Sequence, residues 1–195
     1  MTNPKNTKRC AWVTSEQVYV NYHDLEWGIP VHDDIKLFEM LLLEGAQAGL
    51  SWITILKRRE TYRKAYDNFD PIKIANWDNE KIEKLLLDPG IIRNRLKVQA
   101  AKINANAFLQ IAQEFGSFDA FIWSFTGGDT LQNNWQDISQ IPATTPESDA
   151  MSRELKKRGF KFTGSTICYA FMQAVGMVND HTEDCFRHTI LYGNK

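Results

Sequence analysis

The stretch KKRGFKFTGST, residues 156–166, decides the fold. It lies between two segments with helical spacing of apolar residues, and it carries a glycine near each end, Gly159 and Gly164. A glycine just past the last periodic residue is a common helix terminator, so a short turn joins two helices here. We expect Ser148 to open the first helix. The sequence therefore predicts a helical hairpin over about residues 148–176.

The turn of this hairpin suits a phosphate group. Glycines let backbone N–H groups approach an anion, and the second helix, opening at Ser165, presents its positive end there. Four basic residues crowd the same turn: Lys156, Lys157, Arg158 and Lys161. One interpretation is a sequence-independent, salt-sensitive contact with nucleic-acid phosphates through Lys161, Gly164 and Ser165. The other is an ordinary pair of helices with a solvated basic rim.

Helical spacing with capping residues recurs along the rest of the chain. Predicted helices begin after Asp33 or Asp34, run from Trp52 to about Asn68, and extend from about Asn94 to Glu114. Other predicted caps are Asp70, with Pro71 at the first helical position, Asp78 and Ser117. Residues 126–147 are polar and rich in Gly, Asn and Pro, and predict a loop. The fold class is therefore all-α, with one domain over residues 8–195 after a short flexible extension, residues 1–7.

Composition excludes several classes of protein. Hydrophobic residues make up 43% of 195 residues and charged residues 24%, which is typical of a globular chain and not of a disordered one. The net charge of −1 excludes a uniformly basic nucleic-acid binder but allows a local basic patch. We find no secretory h-region and no long apolar run, so we expect no membrane association. Three cysteines without a signal peptide predict a reduced, cytoplasmic protein.

One carboxylate stands alone in an apolar segment. The stretch MLLLEGAQAGLSWITIL, residues 40–56, contains Glu44 as its single charge. Burying such a group is costly, so it needs a partner or a function. The following segment GAQAG, residues 45–49, is expected to break the helix and to let the backbone approach another group closely, and Trp52 offers a flat surface nearby. The alternative is a solvated glutamate at a frayed helix end.

Metal-type residues occur near both ends of the chain. Cys10 and His23 lie near the N-terminus, and His181 and Cys185 are spaced to share one face of a helical turn near the C-terminus. Two Cys and two His form a closed tetrahedral zinc set, which would join the two ends of the chain. The alternative is a set of unrelated buried cysteines and surface histidines, since no CxxC pair is present.

Four aromatic residues cluster around His23 in the sequence: Trp12, Tyr19, Tyr22 and Trp27. They could form the wall of a pocket for a planar group. Spacing alone favours the simpler interpretation, that they belong to the hydrophobic core.

Several strings together resemble the 3-methyladenine DNA glycosylase I family over about residues 8–194. They are RCAWV at 9–13, YHDLEWGIP at 22–30, LEGAQAGLSW at 43–52, KRGFKF at 157–162, TICY at 166–169 and NDH at 179–181. The resemblance implies a helix-hairpin-helix DNA repair glycosylase. It also implies one structural zinc ion on Cys10, His23, His181 and Cys185.

The resemblance further implies a role for each residue of the site. Glu44 recognises the alkylated base, and Tyr22 and Trp52 are its aromatic walls, with Trp12, Tyr19 and Trp27 close by. Leu50 is inserted into the DNA, with Gln47 beside it. Helix-hairpin-helix glycosylases usually carry a catalytic Asp about 20 residues after the hairpin, but this family is described as lacking it. Asp180 lies in about that place and is left without a role.

The implied reaction is hydrolytic release of 3-methyladenine from alkylated double-stranded DNA. The flipped base is already cationic, so it leaves without a strong general acid. No lysine stands out near Glu44, which favours base release without strand cleavage. We expect the enzyme to be a monomer. The alternatives are a glycosylase that also cleaves the strand through a pocket lysine, a non-catalytic zinc-stapled DNA-binding module, and a zinc hydrolase with an open metal site.

Overall fold

The structure is a computed structural model that describes residues 7–192, and it is mostly helical. Its α-helices are α1 Gln17–Leu25, α2 Asp34–Gln47, α3 Trp52–Leu56, α4 Arg59–Ala65, α5 Pro71–Ala75, α6 Asn79–Leu87, α7 Arg95–Phe115, α8 Phe118–Trp123, α9 Pro146–Lys157, α10 Ser165–Ala174 and α11 Phe186–Tyr192. Apart from Thr7, the extension predicted at residues 1–7 lies outside the described residues. No helix within residues 7–192 is long and apolar enough to cross a membrane.

The predicted caps explain where four of the described helices begin, α2, α5, α6 and α8. The side chain of Asp33, rather than Asp34, accepts from the backbone of Lys36 at the start of α2. The predicted caps at positions 70, 78 and 117 accept backbone N–H groups in the same way, and so does Asn94, where a helix was predicted to begin. The 21-residue helix α7 ends at Gly116, whose φ of 88° is the left-handed conformation of a helix C-cap.

Two local predictions about helix bounds are wrong. The helix expected from Trp52 to Asn68 is interrupted at Lys57–Arg58 and ends in a 3-10 turn, Asp67–Phe69, because Arg58 leaves helical geometry and Asn68 has a positive φ. Thr145, not Ser148, caps α9, because Pro146 occupies the first helical position and Ser148 completes a capping box three residues after the cap.

The helix break predicted at residues 45–49 is present, because α2 ends at Gln47, within this segment. A Cβ at position 45 would lie 3.3 Å from the Cβ of Phe162. The glycine therefore lets the hairpin turn approach α2 closely.

The loop predicted at residues 126–147 contains regular structure. Its strand β1, Leu131–Gln132, pairs in parallel with β2, Val178–Asn179, which follows α10. A 3-10 turn, Ile138–Gln140, follows. A two-residue strand carries too little alternation to be read from sequence, and its partner is 47 residues away, so the loop prediction missed it.

The predicted hairpin is present as α9 and α10, which pack against each other. Helix α10 also packs on α2, and α7 packs on α2, α5, α6 and α8. The N-terminal and C-terminal parts of the described chain meet, because the backbone N–H of Phe186 donates to the carbonyl of Lys8 at 3.0 Å. This arrangement brings α1, α2, α10 and the 131–143 segment around one cavity.

Candidate functional site

A cavity of about 360 Å³ opens between the N-terminal segment, α2 and α10. All six residues predicted to contact a base line it, together with Gln47: Trp12, Tyr19, Tyr22, Trp27, Glu44, Gln47 and Trp52. Its remaining lining comes from α10 and the segment after β1: Ile138, Ile141, Pro142, Ala143, Thr166, Tyr169, Ala170 and Gln173.

Glu44 is the only acidic residue among the described residues that line this cavity. It is 3% exposed, so the alternative of a solvated glutamate at a frayed helix end is wrong. Burial raises the pKa of Glu44 from 4.5 to about 8. Its Oε2 atom is buried without a hydrogen-bond partner. An unsatisfied buried oxygen at a cavity wall is an acceptor available to a ligand.

Aromatic rings form the walls on either side of this carboxyl group. The rings of Tyr22 and Trp52 lie 5.6 Å apart between centroids, tilted by 56°. Trp12 packs edge-on against Tyr19 at 5.1 Å and Trp27 at 5.0 Å. The Nε1 atom of Trp52 is buried without an acceptor. The same rings are thus both core residues and pocket walls, so the two interpretations of this cluster were not exclusive.

The α10 wall was missed by the sequence analysis. Thr166, Tyr169 and Gln173 recur at helical spacing, which places them on one face of α10. That spacing was readable, but it is also the spacing of core residues, and only the fold shows that the face meets a cavity.

Asp180 organises this wall from behind. One of its oxygens accepts from the hydroxyl of Tyr169 at 2.6 Å and the amide of Gln173 at 2.7 Å. The other accepts from Asn133 at 2.7 Å and the indole of Trp135 at 2.8 Å. Asp180 is buried, makes four hydrogen bonds and does not line the cavity. It therefore holds α10 against the segment after β1.

The residues predicted to contact DNA lie outside the cavity, except Gln47. Leu50 is 41% exposed on the turn after α2. Lys161 is exposed in the hairpin turn, and a Cβ on Gly164 would meet no atom within 4 Å. The hydroxyl of Ser165 is engaged internally, with Ser148 at 2.9 Å and with Asp149.

The four predicted metal ligands form one buried cluster. Cys10, His23, His181 and Cys185 each offer a ligand atom, and these atoms lie within 4.8 Å of one another. The Sγ of Cys185 is 3.4 Å from both His23 Nε2 and His181 Nδ1, and Cys10 Sγ is 3.4 Å from His181 Nδ1. A tetrahedral zinc with ordinary Zn–S and Zn–N bonds separates S and N by roughly 3.5 Å, so these residues fit that geometry.

Neighbouring groups orient both imidazoles. Asp24 lies 2.8 Å from Nδ1 of His23, and the carbonyl of Trp27 lies 3.1 Å from Nε2 of His181. Each ring therefore turns its other nitrogen toward the cluster, as is usual for metal-bound histidines. Burial lowers the pKa of His181, which keeps it in the neutral, ligating form.

The side chains of Cys10 and Cys185 interact within the cluster, which lowers the pKa of Cys185 and raises that of Cys10. His188 and Cys168 lie elsewhere. His188 is 2.9 Å from the carbonyl of Asn133, and Cys168 is buried in the core.

This chain is similar in sequence to named glycosylases. A DNA-3-methyladenine glycosylase 1 from Escherichia coli (strain K12) is 53% identical over 91% of this chain and 95% of its own length. A DNA-3-methyladenine glycosylase from Haemophilus influenzae is 49% identical over 92% of this chain and 97% of its own. The family described as "Methyladenine glycosylase" matches residues 12–188.

Solved structures agree with these sequence matches. A crystal structure of a 3-methyladenine DNA glycosylase I is 54% identical, covers 93% of this chain and all of its own, and superimposes with a TM-score of 0.91. A Staphylococcus aureus structure, described as showing the basis of 3-methyladenine recognition, is 38% identical, covers 91% of this chain and 95% of its own, and has a TM-score of 0.89. This chain belongs to the methyladenine glycosylase family.

Proposed function

We propose that this chain releases 3-methyladenine from alkylated DNA by hydrolysing the bond between the base and its sugar. The observation that carries the proposal is Glu44, a buried carboxyl group with a free oxygen, set among aromatic rings at the wall of a cavity. A base inside a duplex cannot reach such a cavity, so the enzyme flips it out of the stack.

Glu44 and the rings recognise the charge of the flipped base. A 3-methylated adenine is cationic while attached to its sugar, and a carboxylate stabilises that charge and accepts hydrogen bonds from the amino edge. The positive charge of the substrate lowers the raised pKa of Glu44 on binding, so the group becomes ionised when it is needed. Tyr22 and Trp52 stack on the ring, and a cation over an aromatic face gains roughly 0.5–2 kcal/mol.

The cleavage step needs little further help from the protein. The charged base is already a good leaving group, water attacks the sugar, and an abasic site remains. Asp180 is saturated with hydrogen bonds, so we assign it no catalytic role. Among the described residues that line the cavity, none is a lysine. We therefore propose base release without the Schiff base that strand cleavage requires.

We propose that Cys10, His23, His181 and Cys185 hold one structural zinc ion. A bound zinc would supply cohesion between the chain ends and no catalytic water, because four protein ligands complete its coordination. This arrangement disfavours the alternative of a zinc hydrolase, which needs an open position.

We propose that the hairpin turn and the turn after α2 contact double-stranded DNA. Gly164 has a φ of −64° and open space at its Cβ position, so neither backbone strain nor internal packing requires glycine there. A remaining reason for glycine at position 164 is that it lets an external phosphate approach the backbone closely. The hydroxyl of Ser165 donates a hydrogen bond to Asp149, so Ser165 would contact a phosphate through its backbone N–H at the start of α10.

The test is incubation of the purified protein with methylated duplex DNA, followed by chromatography of the released bases. We expect free 3-methyladenine and abasic sites without strand breaks, and no adduct after borohydride treatment. Binding without base release would support the non-catalytic DNA-binding module instead. A trapped adduct would support the strand-cleaving glycosylase. Size-exclusion chromatography of the same sample tests the expected monomer.

A further inference from the structure

The end of α2 is held by a lysine from another helix. Lys97, on α7, donates from Nζ to the carbonyls of Ala46 at 2.8 Å and Ala48 at 2.7 Å. The last carbonyls of a helix lack partners within the helix and carry its negative dipole end, so a cation is favourable there. Helix α2 has no basic residue in its own last turn. Lys97 therefore supplies the charge that this helix end does not provide itself.

The two carbonyls flank a functional residue. Gln47 lies between Ala46 and Ala48 in the chain and lines the cavity. The turn that follows has two backbone hydrogen bonds of its own, from the N–H of Ala48 to the carbonyl of Gly45 at 3.4 Å and from the N–H of Leu50 to the carbonyl of Gln47 at 2.6 Å, and Lys97 adds two more from α7. The lysine thus fixes the segment that carries Gln47 and leads into Leu50.

The same face of α7 holds the hairpin turn. Asn104 lies seven residues after Lys97, two helical turns along one face. Its side-chain oxygen accepts from the backbone N–H of Lys161 at 2.8 Å, and its amide donates to the carbonyl of Lys161 at 3.0 Å. Asn104 is buried. Two positions on one face of the 21-residue helix α7, one near its start and one near its middle, are thus tied to segments proposed to touch DNA.

We propose that Lys97 is a positioning residue for base excision, which keeps the Gln47–Leu50 turn in register with the hairpin turn held by Asn104. The inference rests on the proposed function. The hairpin grips the phosphates while the turn after α2 meets the gap left by the flipped base, so the distance between them must match the DNA. A misplacement of about 1 Å can reduce a rate about 100-fold.

The test compares Lys97→Met with a matched control on the same helix. Methionine keeps an unbranched stem but cannot donate to the carbonyls. Lys102→Met is the control, because Lys102 also lies on α7 and donates to a backbone carbonyl, that of Trp77, away from both DNA-contacting turns. Three measurements are made on each zinc-loaded variant: single-turnover release of 3-methyladenine from methylated duplex, binding of free 3-methyladenine by quenching of tryptophan fluorescence, and urea unfolding.

We expect Lys97→Met to release base from duplex DNA at least 10-fold more slowly while binding the free base within 2-fold of the unaltered protein. Lys102→Met should excise at the normal rate even if it unfolds as easily. Lys97→Arg, which keeps a donor at the helix end, should recover most of the rate.

Three outcomes would overturn the inference: excision by Lys97→Met within 2-fold of normal, an equal loss of free-base binding, or an equal excision loss in Lys102→Met. If the unaltered protein itself releases no 3-methyladenine, the proposed function fails, and that failure is distinguishable from these.

Discussion

Replacing Glu44 by Gln should make the protein more stable and less active, and the stability gain should grow with pH. Burial raises the pKa of Glu44 from 4.5 to about 8, so the folded chain keeps this proton longer than the unfolded chain does. The contribution of Glu44 to stability is fully present below pH 4.5 and is lost as the pH rises through 8. Glutamine has the same shape and never ionises, so it escapes this loss.

The size of the effect follows from the two pKa values. Each unit of difference between the folded and unfolded pKa is worth about 1.4 kcal/mol once the pH exceeds both. Between pH 5 and pH 8.5, the free energy of unfolding of Glu44→Gln relative to the unaltered chain should therefore rise by about 4 kcal/mol. Urea unfolding at the two pH values measures this difference. Because both proteins carry the same Cys/His cluster, its own pH dependence cancels.

A second buried glutamate on α2 provides the control. Glu39 is 6% exposed, but its Oε1 accepts from Arg59 at 2.6 Å and from Arg63 at 2.9 Å. Glu39→Gln should destabilise the protein by about 2 kcal/mol, because the guanidinium groups of Arg59 and Arg63 lose the negative charge that they share. This value is reduced for the partial exposure of Arg63 to solvent. The two substitutions should thus change stability in opposite directions.

The activity of Glu44→Gln completes the prediction. Loss of a charge-assisted hydrogen bond, worth roughly 1.5–3 kcal/mol, should slow single-turnover release of 3-methyladenine about 10- to 100-fold. A stability difference that stays constant within 1 kcal/mol from pH 5 to 8.5 would show that Glu44 has an ordinary pKa and is not desolvated. An unchanged excision rate would remove Glu44 from the site.

Three further perturbations test the other parts of the site. Cys185→Ala should lose bound zinc, measured by metal analysis, and much of its resistance to heat, whereas a metal-free variant that melts normally would contradict the zinc proposal. Lys161→Ala should weaken binding to damaged and undamaged duplex about equally and reduce the slope of log K against log salt by about 1; a loss confined to damaged DNA would place Lys161 at the base. Asp180→Asn should lower the free energy of unfolding by about 3 kcal/mol, because it turns an amide donor toward groups that already donate, and an unchanged urea midpoint would refute the bracing role.

The sequence predicted what depends on neighbours along the chain. Caps such as Asp70 and Asp78 work through backbone groups two or three residues away, so the residue type and its position suffice. The break at Lys57–Arg58 has no proline or glycine to mark it and depends on how α3 and α4 pack, so it was missed. Thr145 was passed over because the capping signal of Ser148 competes with it three residues later.

The residues of the site also separate into those that could be predicted from the sequence and those that could not. The lone charge of Glu44 was visible, since an isolated carboxylate among apolar residues is rare enough to suggest a function. The spacing of His181 and Cys185 was visible too, but only the fold shows that residues more than 150 positions apart meet in one cluster. Lys97 gave no signal at all, because a lysine near the start of an amphipathic helix is ordinarily a solvated one.

Two buried carboxyl groups lie in or beside this site, and their hydrogen bonds separate their roles. Asp180 accepts four donors from α10 and the segment after β1, so any movement of its side chain would leave several buried donors unpaired. Glu44 has a buried oxygen with no partner, so its environment makes it costly until a ligand arrives with a donor or a positive charge. Asp180 can therefore only fix the shape of the cavity. Glu44 can only gain a hydrogen-bond partner from a ligand inside the cavity. A neutral adenine offers the donor but not the charge, so this pairing favours the alkylated base over the normal one.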